Sequence, residues 1–286
     1  HIYTDNTTSS QSGTSTRGAA PEVTNAAEKT RDFIRVSDEL CGGMPVWITE
    51  TGFDIHQDSP LKAVPIGTKS ALDTQADWIL RMSLFSARHG VAKVFYYQMY
   101  DDHDSGMIFA TSGLINSNLT RRPAADFLYQ TKNLFGNYIF KETLAQDPII
   151  DRYEWNGQDM YAMVVPDEVG RTANYTLALP NSTSVRVYTP TVGATEMSWT
   201  DLPVVGGSVT ISVGETPIFV VPDGGNNARI AVNETVVEEL QRPQVTVFPN
   251  PTTRGKVRIQ IDNPGGGDVV IRLFNAGMGT LHYETL

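Results

Sequence analysis

Residues 45–52 read Pro-Val-Trp-Ile-Thr-Glu-Thr-Gly, and they decide the fold expected for the N-terminal half of the chain. The run from Pro45 to Thr49 has the length and the apolar, β-branched composition of a short buried strand, and Gly52 ends it. Glu50 therefore follows the strand directly. Ligands bind and catalysis occurs at the carboxyl ends of the strands in α/β proteins. Glu50 is thus a candidate catalytic carboxylate, and the alternative is a solvated glutamate at a strand–loop junction.

Residues 1–140 alternate between strand-like and helix-like patterns. The alternation predicts a parallel sheet with helical crossovers, because parallel strands need a long connection between them. Large residues at helical spacing and the adjacent Gly and Pro signals give the bounds. The predicted elements are a strand end at 1–3, a helix at 21–40 with Ala27, Phe33, Ile34 and Leu40 on its apolar face, a strand at 45–49, a helix at 71–89, a strand at 91–100 and a helix at 123–134.

Residues 47–53, WITETGF, resemble the seventh-strand motif of the large clan of retaining TIM-barrel glycoside hydrolases, which includes cellulase-like, β-xylosidase-like and iduronidase-like enzymes. The order of the neighbouring segments supports the resemblance. Residues 1–3 resemble the end of the sixth strand, and residues 94–98 (VFYYQ) resemble the eighth. Residues 112–114 (SGL) and 121–124 (RRPA) resemble the loop and final helix that follow it. The resemblance covers residues 1–140 and implies part of a (β/α)8 barrel, about strands 6–8.

The resemblance also implies roles for individual residues. In the clan the glutamate at the position of Glu50 is the nucleophile. A His or Tyr at the sixth strand often hydrogen-bonds the nucleophile or the substrate, which makes His1 and Tyr3 candidates. The eighth strand normally brings an aromatic platform to the sugar; here Tyr97 is the candidate, although the clan usually has Trp in this strand. Trp47 is expected in the core.

The loops that follow the two predicted strands carry further acidic residues. Asp54 and Asp101 are candidates for binding substrate hydroxyls, and the alternative for each is a solvated loop residue. Retaining glycosidases need a second carboxyl group as general acid/base. In the clan it follows the fourth strand, which would precede residue 1. We therefore expect this chain to be a fragment that is inactive alone.

No metal or cofactor is implied. No His or Cys cluster has the spacing of zinc ligands, and the single cysteine, Cys41, precludes an internal disulfide. The net charge of −10 makes nucleic acid an improbable partner, because phosphate binding needs a basic surface. No apolar run has the length of about 18 residues that crosses a membrane. The expected substrate is a plant or microbial polysaccharide or oligosaccharide.

Residues 141–222 lose the helical pattern. Short apolar runs alternate with turn residues, which predicts a β-sandwich. The predicted strands are 161–165, 175–179, 185–188, 209–211 and 218–221. Residues 223–243 are polar and rich in Gly, Asn and Glu, and they predict a linker.

Residues 244–286 predict a second, small β-module with strands at 256–262 and 268–274. Residues 245–253, VTVFPNPTT, resemble the opening of the C-terminal sorting domain of type IX secretion in Bacteroidetes. The chain stops at Leu286, before the usual end of that domain, so a truncated domain is expected. The resemblance implies a secreted or cell-surface protein that engages the type IX secretion machinery.

Two other functions remain open from the sequence. The chain could be a non-catalytic cell-surface protein, such as a carbohydrate-binding or adhesive module on a degenerate barrel; the missing Trp on the eighth strand is its support. It could also belong to another α/β enzyme with a glutamate at a strand end.

Overall fold

A computed structural model of the chain describes residues 1–7, 14–102, 106–116 and 118–223, together with the backbone of four strands beyond residue 243. Two compact units are present, His1–Asn227 and Ala228–Leu286. The predicted linker, apart from Asp223, and the Pro-Asn-Pro segment at 249–251 lie outside the described residues.

The first unit begins with the predicted alternation of helices and strands. After a 3-10 turn at Pro21–Val23 come α1 (Ala26–Leu40), β1 (Trp47–Thr51), α2 (Ala71–Arg88), β2 (Lys93–Tyr96) and α3 (Pro123–Phe135). β1 and β2 pair in parallel, with Ile48 opposite Val94, and α2 connects them. Residues 1–3 form no regular strand, but the Ile2 amide donates to the Glu50 carbonyl at 3.1 Å, so the N-terminal segment runs beside β1.

The central element of this segment is α2. A capping box fixes its start, because the Ser70 hydroxyl accepts from the Asp73 amide while the Asp73 carboxylate accepts from the Ser70 amide. Most of its side chains are buried, including Trp78 and Phe85. Gly90 follows the helix with φ 76°, a left-handed conformation that glycine adopts readily. No helix in the described ranges is long and apolar enough to cross a membrane.

Two predictions about the core are wrong. Trp47 is 48% exposed, because the alternation of side chains along β1 directs Ile48 towards Met82 and Phe85 and leaves Trp47 on the opposite face beside Phe95.

The predicted apolar face of α1 is the second error, in two of its four residues. Phe33 is 61% exposed and Leu40 is 77% exposed. The other two, Ala27 and Ile34, are half-buried, and Ala27 packs against the core cluster of Ile48 and Met82. The fully buried residues of α1 are Ala26, Thr30 and Ser37, so small side chains make most of its closest packing.

Residues 139–222 form two antiparallel sheets. The larger has six strands in the order β3-β4-β5-β10-β7-β8, and the smaller contains β6 and β9. Apolar residues of both sheets share one core cluster. The predicted strands are present, and β3, β4 and β8 were missed. The strands are β3 (Ile139–Gln146), β4 (Ile149–Trp155), β5 (Gln158–Val164), β6 (Ala173–Ala178), β7 (Ser184–Thr189), β8 (Ser198–Pro203), β9 (Ser208–Val213) and β10 (Ile218–Pro222).

The helices and the six-stranded sheet also share a core. Phe135 of α3 stacks on Phe219 of β10 with ring centroids 4.9 Å apart. The surface where α2 meets its neighbours, which we call the α2 junction, contains three ion pairs with at least one buried partner each. These are Arg81 with Glu22, Arg88 with Asp151, and Lys69 with Asp77.

The second unit contains two antiparallel strand pairs. β11 (Gln244–Phe248) pairs with β12 (Arg258–Asp262), and β13 (Val270–Phe274) pairs with β14 (Thr280–Thr285). The two strands expected from the sequence overlap β12 and β13. The assignment of this unit to a sorting domain stays a prediction.

Candidate active site

A cleft of about 490 Å³ opens where β1 and β2 end. Residues that follow the two strands meet there with residues of the N-terminal segment and the nearby loops, as expected for the carboxyl edge of a parallel sheet. The lining residues are Tyr3, Asp5, Ser15, Glu50, Gly52, Pro60, Leu61, Tyr97, Phe109 and Ser112.

The Glu50 side chain is held by two residues of the N-terminal segment. Tyr3 Oη donates to Glu50 Oε1 at 2.6 Å, and His1 Nδ1 lies 3.4 Å from Glu50 Oε2. The side chain is still 33% exposed, so it is oriented but accessible from the cleft. A fixed, accessible carboxylate can accept hydrogen bonds, bind a cationic centre or attack a carbon electrophile.

Tyr3 is suited to be a permanent hydrogen-bond donor. Burial raises the pKa of its hydroxyl, and the hydrogen bond to Glu50 together with the charge of that carboxylate raises it further. The backbone around it is anchored, because Thr4 Oγ1 donates to the Ala19 carbonyl at 2.6 Å. Tyr3 therefore stays protonated and presents its O–H to Glu50.

Tyr97 directly follows β2, lines the cleft and is partly exposed. Its amide donates to the Thr51 carbonyl at 2.7 Å, which extends the pairing of the two strands. Burial raises the pKa of its hydroxyl, as do the carboxylates of Asp102, Glu50 and Asp54. The peptide bond from Tyr97 to Gln98 is cis.

Gly52 is required by the close approach of the two strand ends. A Cβ at this position would overlap the carbonyl oxygen of Tyr97. The position therefore needs a residue without a side chain, and the glycine lets Glu50 and Tyr97 approach the same cleft.

Asp54 does not contact the cleft as the sequence analysis expected. It is fully buried, and its carboxylate accepts hydrogen bonds from the Phe109 amide at 2.6 Å and from the Thr111 hydroxyl. It also accepts from the His56 amide at 3.1 Å. Because these protein groups occupy the carboxylate, Asp54 joins the two strand-end loops to each other and is not positioned to bind a hydroxyl of a ligand.

Asp101 is likewise engaged within the protein. Its carboxylate forms an ion pair with Arg122 and accepts from the Gly113 amide at 2.9 Å. Arg122 is itself buried and also donates to the carbonyls of Thr111 and Gly113. These contacts give Asp101 a structural role in the loop after β2, and its role in substrate binding stays a prediction.

Several cleft residues were missed by the sequence analysis. Phe109 is the largest of them: it is 38% exposed and has φ 70°, which is uncommon for a residue other than glycine. Its sequence context shows no strand or helix pattern, so nothing local indicated that it lies near Glu50. Pro60 and Leu61 were missed for the same reason, whereas Ser112 was placed only in the loop after the eighth strand and not in the cleft.

The described residues contain no group of three His, Cys, Asp or Glu side chains that could hold a metal ion.

Comparisons with known proteins identify the fold. Neither a protein-family model nor a curated protein sequence matches the chain. Among solved structures, a family 39 glycoside hydrolase from the gut symbiont Bacteroides cellulosilyticus is similar, with a TM-score of 0.52 and 20% identity over 68% of this chain and 37% of that one. The chain therefore has a glycoside hydrolase-like fold.

Two further structures show weaker similarity. One is a GH30 endoxylanase from Clostridium papyrosolvens, with a TM-score of 0.43 and 14% identity over 68% of this chain and 46% of that one. The other is a family 86 β-porphyranase from the human gut bacterium Bacteroides plebeius, with a TM-score of 0.42 and 14% identity over 69% of this chain and 38% of that one. The chain spans less than half the length of each of the three.

Proposed function

We propose that the chain carries the nucleophile of a secreted retaining glycoside hydrolase that cleaves O-glycosidic bonds of a plant or microbial polysaccharide or oligosaccharide. The observation that supports the proposal is the position of the Glu50 side chain. It lies next to the last residue of the parallel strand β1, lines the cleft, and is oriented by the Tyr3 hydroxyl at 2.6 Å. The glycoside hydrolase-like fold supports the proposal.

The chemistry proceeds by double displacement. A Glu50 oxygen attacks the anomeric carbon, the bond from that carbon to the leaving oxygen breaks, and a general acid protonates the leaving oxygen. The same general acid/base then takes a proton from water, the water oxygen attacks the anomeric carbon, and Glu50 is released as a carboxylate. We propose that this second carboxyl group belongs to the part of the enzyme that precedes residue 1.

The neighbours of Glu50 have separate roles. Tyr3 orients one carboxylate oxygen and leaves the other for attack. His1, 3.4 Å from the second oxygen, lies where it can contact the nucleophile and the bound sugar. Tyr97 lines the same cleft and contributes an aromatic surface to it.

The decisive experiment is covalent trapping in the full-length gene product. A 2-deoxy-2-fluoro glycosyl fluoride slows hydrolysis of the glycosyl-enzyme more than its formation, so the label accumulates on the nucleophile. We expect peptide mass spectrometry to locate the label on Glu50. We also expect Glu50→Gln to reduce turnover by roughly 10³-fold or more, since the covalent pathway is lost.

The matched control is Glu142→Gln, which changes an exposed glutamate of β3 far along the chain from the cleft. It should retain normal turnover. In the Glu50→Gly variant, added azide should restore bond cleavage and yield a glycosyl azide of inverted configuration. Label on another residue, or normal turnover by Glu50→Gln, would refute the proposal.

We further propose that the second unit directs type IX secretion. The supporting features are the VTVFPNPTT sequence at 245–253 and the two antiparallel strand pairs. Deleting residues 244–286 from the full-length gene in a Bacteroidetes host should leave the protein in the periplasm. Export of the deleted protein to the cell surface or medium would contradict this role.

A further inference from the structure

We propose that the cleft selects an uncharged sugar residue, packed against an apolar wall centred on Phe109, and rejects uronic acids and sulfated sugars. This inference rests on the proposed function and specifies its substrate class. Two independent observations carry it: the charge of the segments that surround the cleft, and the construction of the wall.

The segments around the cleft are strongly acidic. The strand-end segments, described for residues 1–7, 14–16, 48–61, 94–102, 106–116 and 118–120, contain six acidic residues and no Lys or Arg in those ranges. The acidic residues are Asp5, Glu50, Asp54, Asp58, Asp101 and Asp102. A sugar carboxylate or sulfate would enter this field without the bidentate Arg or the Lys that normally binds such groups.

The cations that flank the strand-end segments are engaged with other groups. Lys62 donates to the Gln57 carbonyl, and Arg121 pairs with Asp126 at 2.7 Å. Arg17 pairs with Glu168 at 2.8 Å and donates to the Gly18 carbonyl at 2.9 Å. Arg122 pairs with Asp101. Lys93 lies 4.5 Å from the centroid of the Trp47 ring, at the start of β2 and therefore at the end of the strand opposite to the cleft. None of these side chains lines the cleft.

Part of the cleft lining is apolar. Pro60, Leu61 and Phe109 contribute to it, and we refer to these three residues as the apolar wall; Asp54 links two of them, because its amide donates to the Leu61 carbonyl and its carboxylate accepts from the Phe109 amide. Ligand sites are commonly apolar surfaces with a few polar groups that fix orientation. Here Ser15 and Ser112 supply neutral hydroxyl groups that donate to the Pro60 and Phe109 carbonyls and can still accept a hydrogen bond from a ligand. The C–H face of a sugar ring is apolar and fits such a wall, while its hydroxyls can reach the polar residues.

Phe109 is held in place by an unusual backbone. Its φ of 70° is in the left-handed region, and its amide donates to the buried Asp54 carboxylate at 2.6 Å. Non-glycine residues in this region are frequently retained at functional sites. Asp54 is therefore a positioning residue for Phe109, and Phe109 is the residue that determines the apolar character of the wall.

The experiment measures binding by the full-length Glu50→Gln protein, because its reduced turnover leaves the ligand intact during the measurement. The probes are neutral hexasaccharides of glucose, xylose, mannose, galactose or arabinose, compared with hexamers of galacturonate, alginate and a sulfated galactan. We expect at least one neutral hexasaccharide to bind about tenfold or more tightly than every anionic one. Adding Phe109→Ala should weaken that binding about tenfold, the scale of one lost aromatic contact.

The matched control is Phe33→Ala, which removes an exposed phenylalanine of α1 outside the cleft and should leave binding unchanged. Asp54→Asn should weaken binding in the same direction as Phe109→Ala. Equal or tighter binding of an anionic hexamer, unchanged binding in the Phe109→Ala protein, or no binding of any saccharide would overturn the inference. Labelling of Glu50 by the fluorosugar is measured separately, so a failure here is distinguishable from a failure of the proposed function.

Discussion

The cleft and the α2 junction use acidic residues in opposite ways. At the junction, Glu22 and Asp151 are buried and each lies within 3 Å of an arginine nitrogen. In the cleft, Glu50 is partly exposed and is held by a tyrosine hydroxyl and a histidine ring. At the junction, each carboxylate is fixed by an ion pair with an arginine. In the cleft, the Glu50 carboxylate is fixed without a strong ion pair.

The difference separates stability from reactivity. A buried carboxylate paired with a guanidinium is held by a strong charge-assisted contact and is closed to a substrate. A neutral Tyr donor orients the carboxylate and leaves its negative charge in place. We therefore expect junction variants to change the free energy of unfolding and cleft variants to change catalysis.

Breaking the junction should have the largest effect. Arg81→Met leaves the Glu22 carboxylate buried without its partner at 3.0 Å and also removes the bond to the Asp167 carbonyl at 2.8 Å. Loss of one partner of a buried ion pair typically costs about 3–5 kcal/mol. Chemical denaturation of the full-length protein should show this loss in the transition of the unit that contains α2.

The control for this change is Arg35→Met, because Arg35 and Glu39 form an exposed pair on α1. Exposed pairs contribute about 1 kcal/mol or less, so this variant should unfold almost as the original protein does. If the Arg81→Met and Arg35→Met variants lose the same free energy of unfolding, the ion pair of Arg81 with Glu22 does not stabilise the fold.

Tyr3→Phe should reduce catalysis and leave the free energy of unfolding almost unchanged. The variant keeps the ring but removes the hydrogen bond to Glu50, and a hydrogen bond to a charged group contributes about 1.5–3 kcal/mol. We expect kcat/KM to fall roughly 10–100-fold, with a change of less than about 1 kcal/mol in the free energy of unfolding, since the Glu50 carboxylate can be solvated from the cleft.

Steady-state kinetics and denaturation on the same preparation test this separation. Tyr129→Phe is the control, because Tyr129 is exposed on α3 and does not line the cleft. Unchanged catalysis in Tyr3→Phe would mean that the hydroxyl does not orient the nucleophile.

Gly52→Ala tests whether a cleft residue also contributes to the free energy of unfolding. The added methyl group would overlap the Tyr97 carbonyl, so one strand end must shift. We expect a loss of about 1–3 kcal/mol, the range for overpacked sites, together with reduced activity.

Gly214→Ala provides the comparison. A Cβ there meets only Thr172 Cγ2 at 4.0 Å, and its φ lies outside the left-handed region. This variant should unfold normally or become slightly more stable. Equal behaviour of the two alanine variants would show that β1 accommodates a side chain beside Tyr97.

Local patterns predicted the elements that present Glu50. The predicted helix at 71–89 and strand at 45–49 correspond closely to α2 and β1, because capping residues, apolar spacing and glycines are local signals. Trp47 was misassigned since a short apolar run does not reveal which face of a strand meets the helices. β3, β4 and β8 were missed because charged and polar residues interrupt their apolar pattern.

The acidic loop residues could not be assigned from the sequence, because their partners are distant along the chain. Asp54 binds Phe109 and Thr111, which follow it by more than 50 residues, and Asp101 binds Arg122. An aspartate in a loop has the same local sequence signal whether it binds a ligand or another loop. The pairing of Glu50 with Tyr3 was expected only through the resemblance, and the role of Phe109 required the structure.

The hydrogen bonds of Asp54 restrict how the sequence around this site can change. Its single carboxylate links the segment after β1 to the segment after β2, so an insertion or exchange in one segment withdraws a hydrogen-bond partner from the other. The two segments can therefore change in sequence or length only together. Grafting either alone into a related scaffold should fail where transfer of both, with Asp54, Phe109 and Thr111 kept together, succeeds.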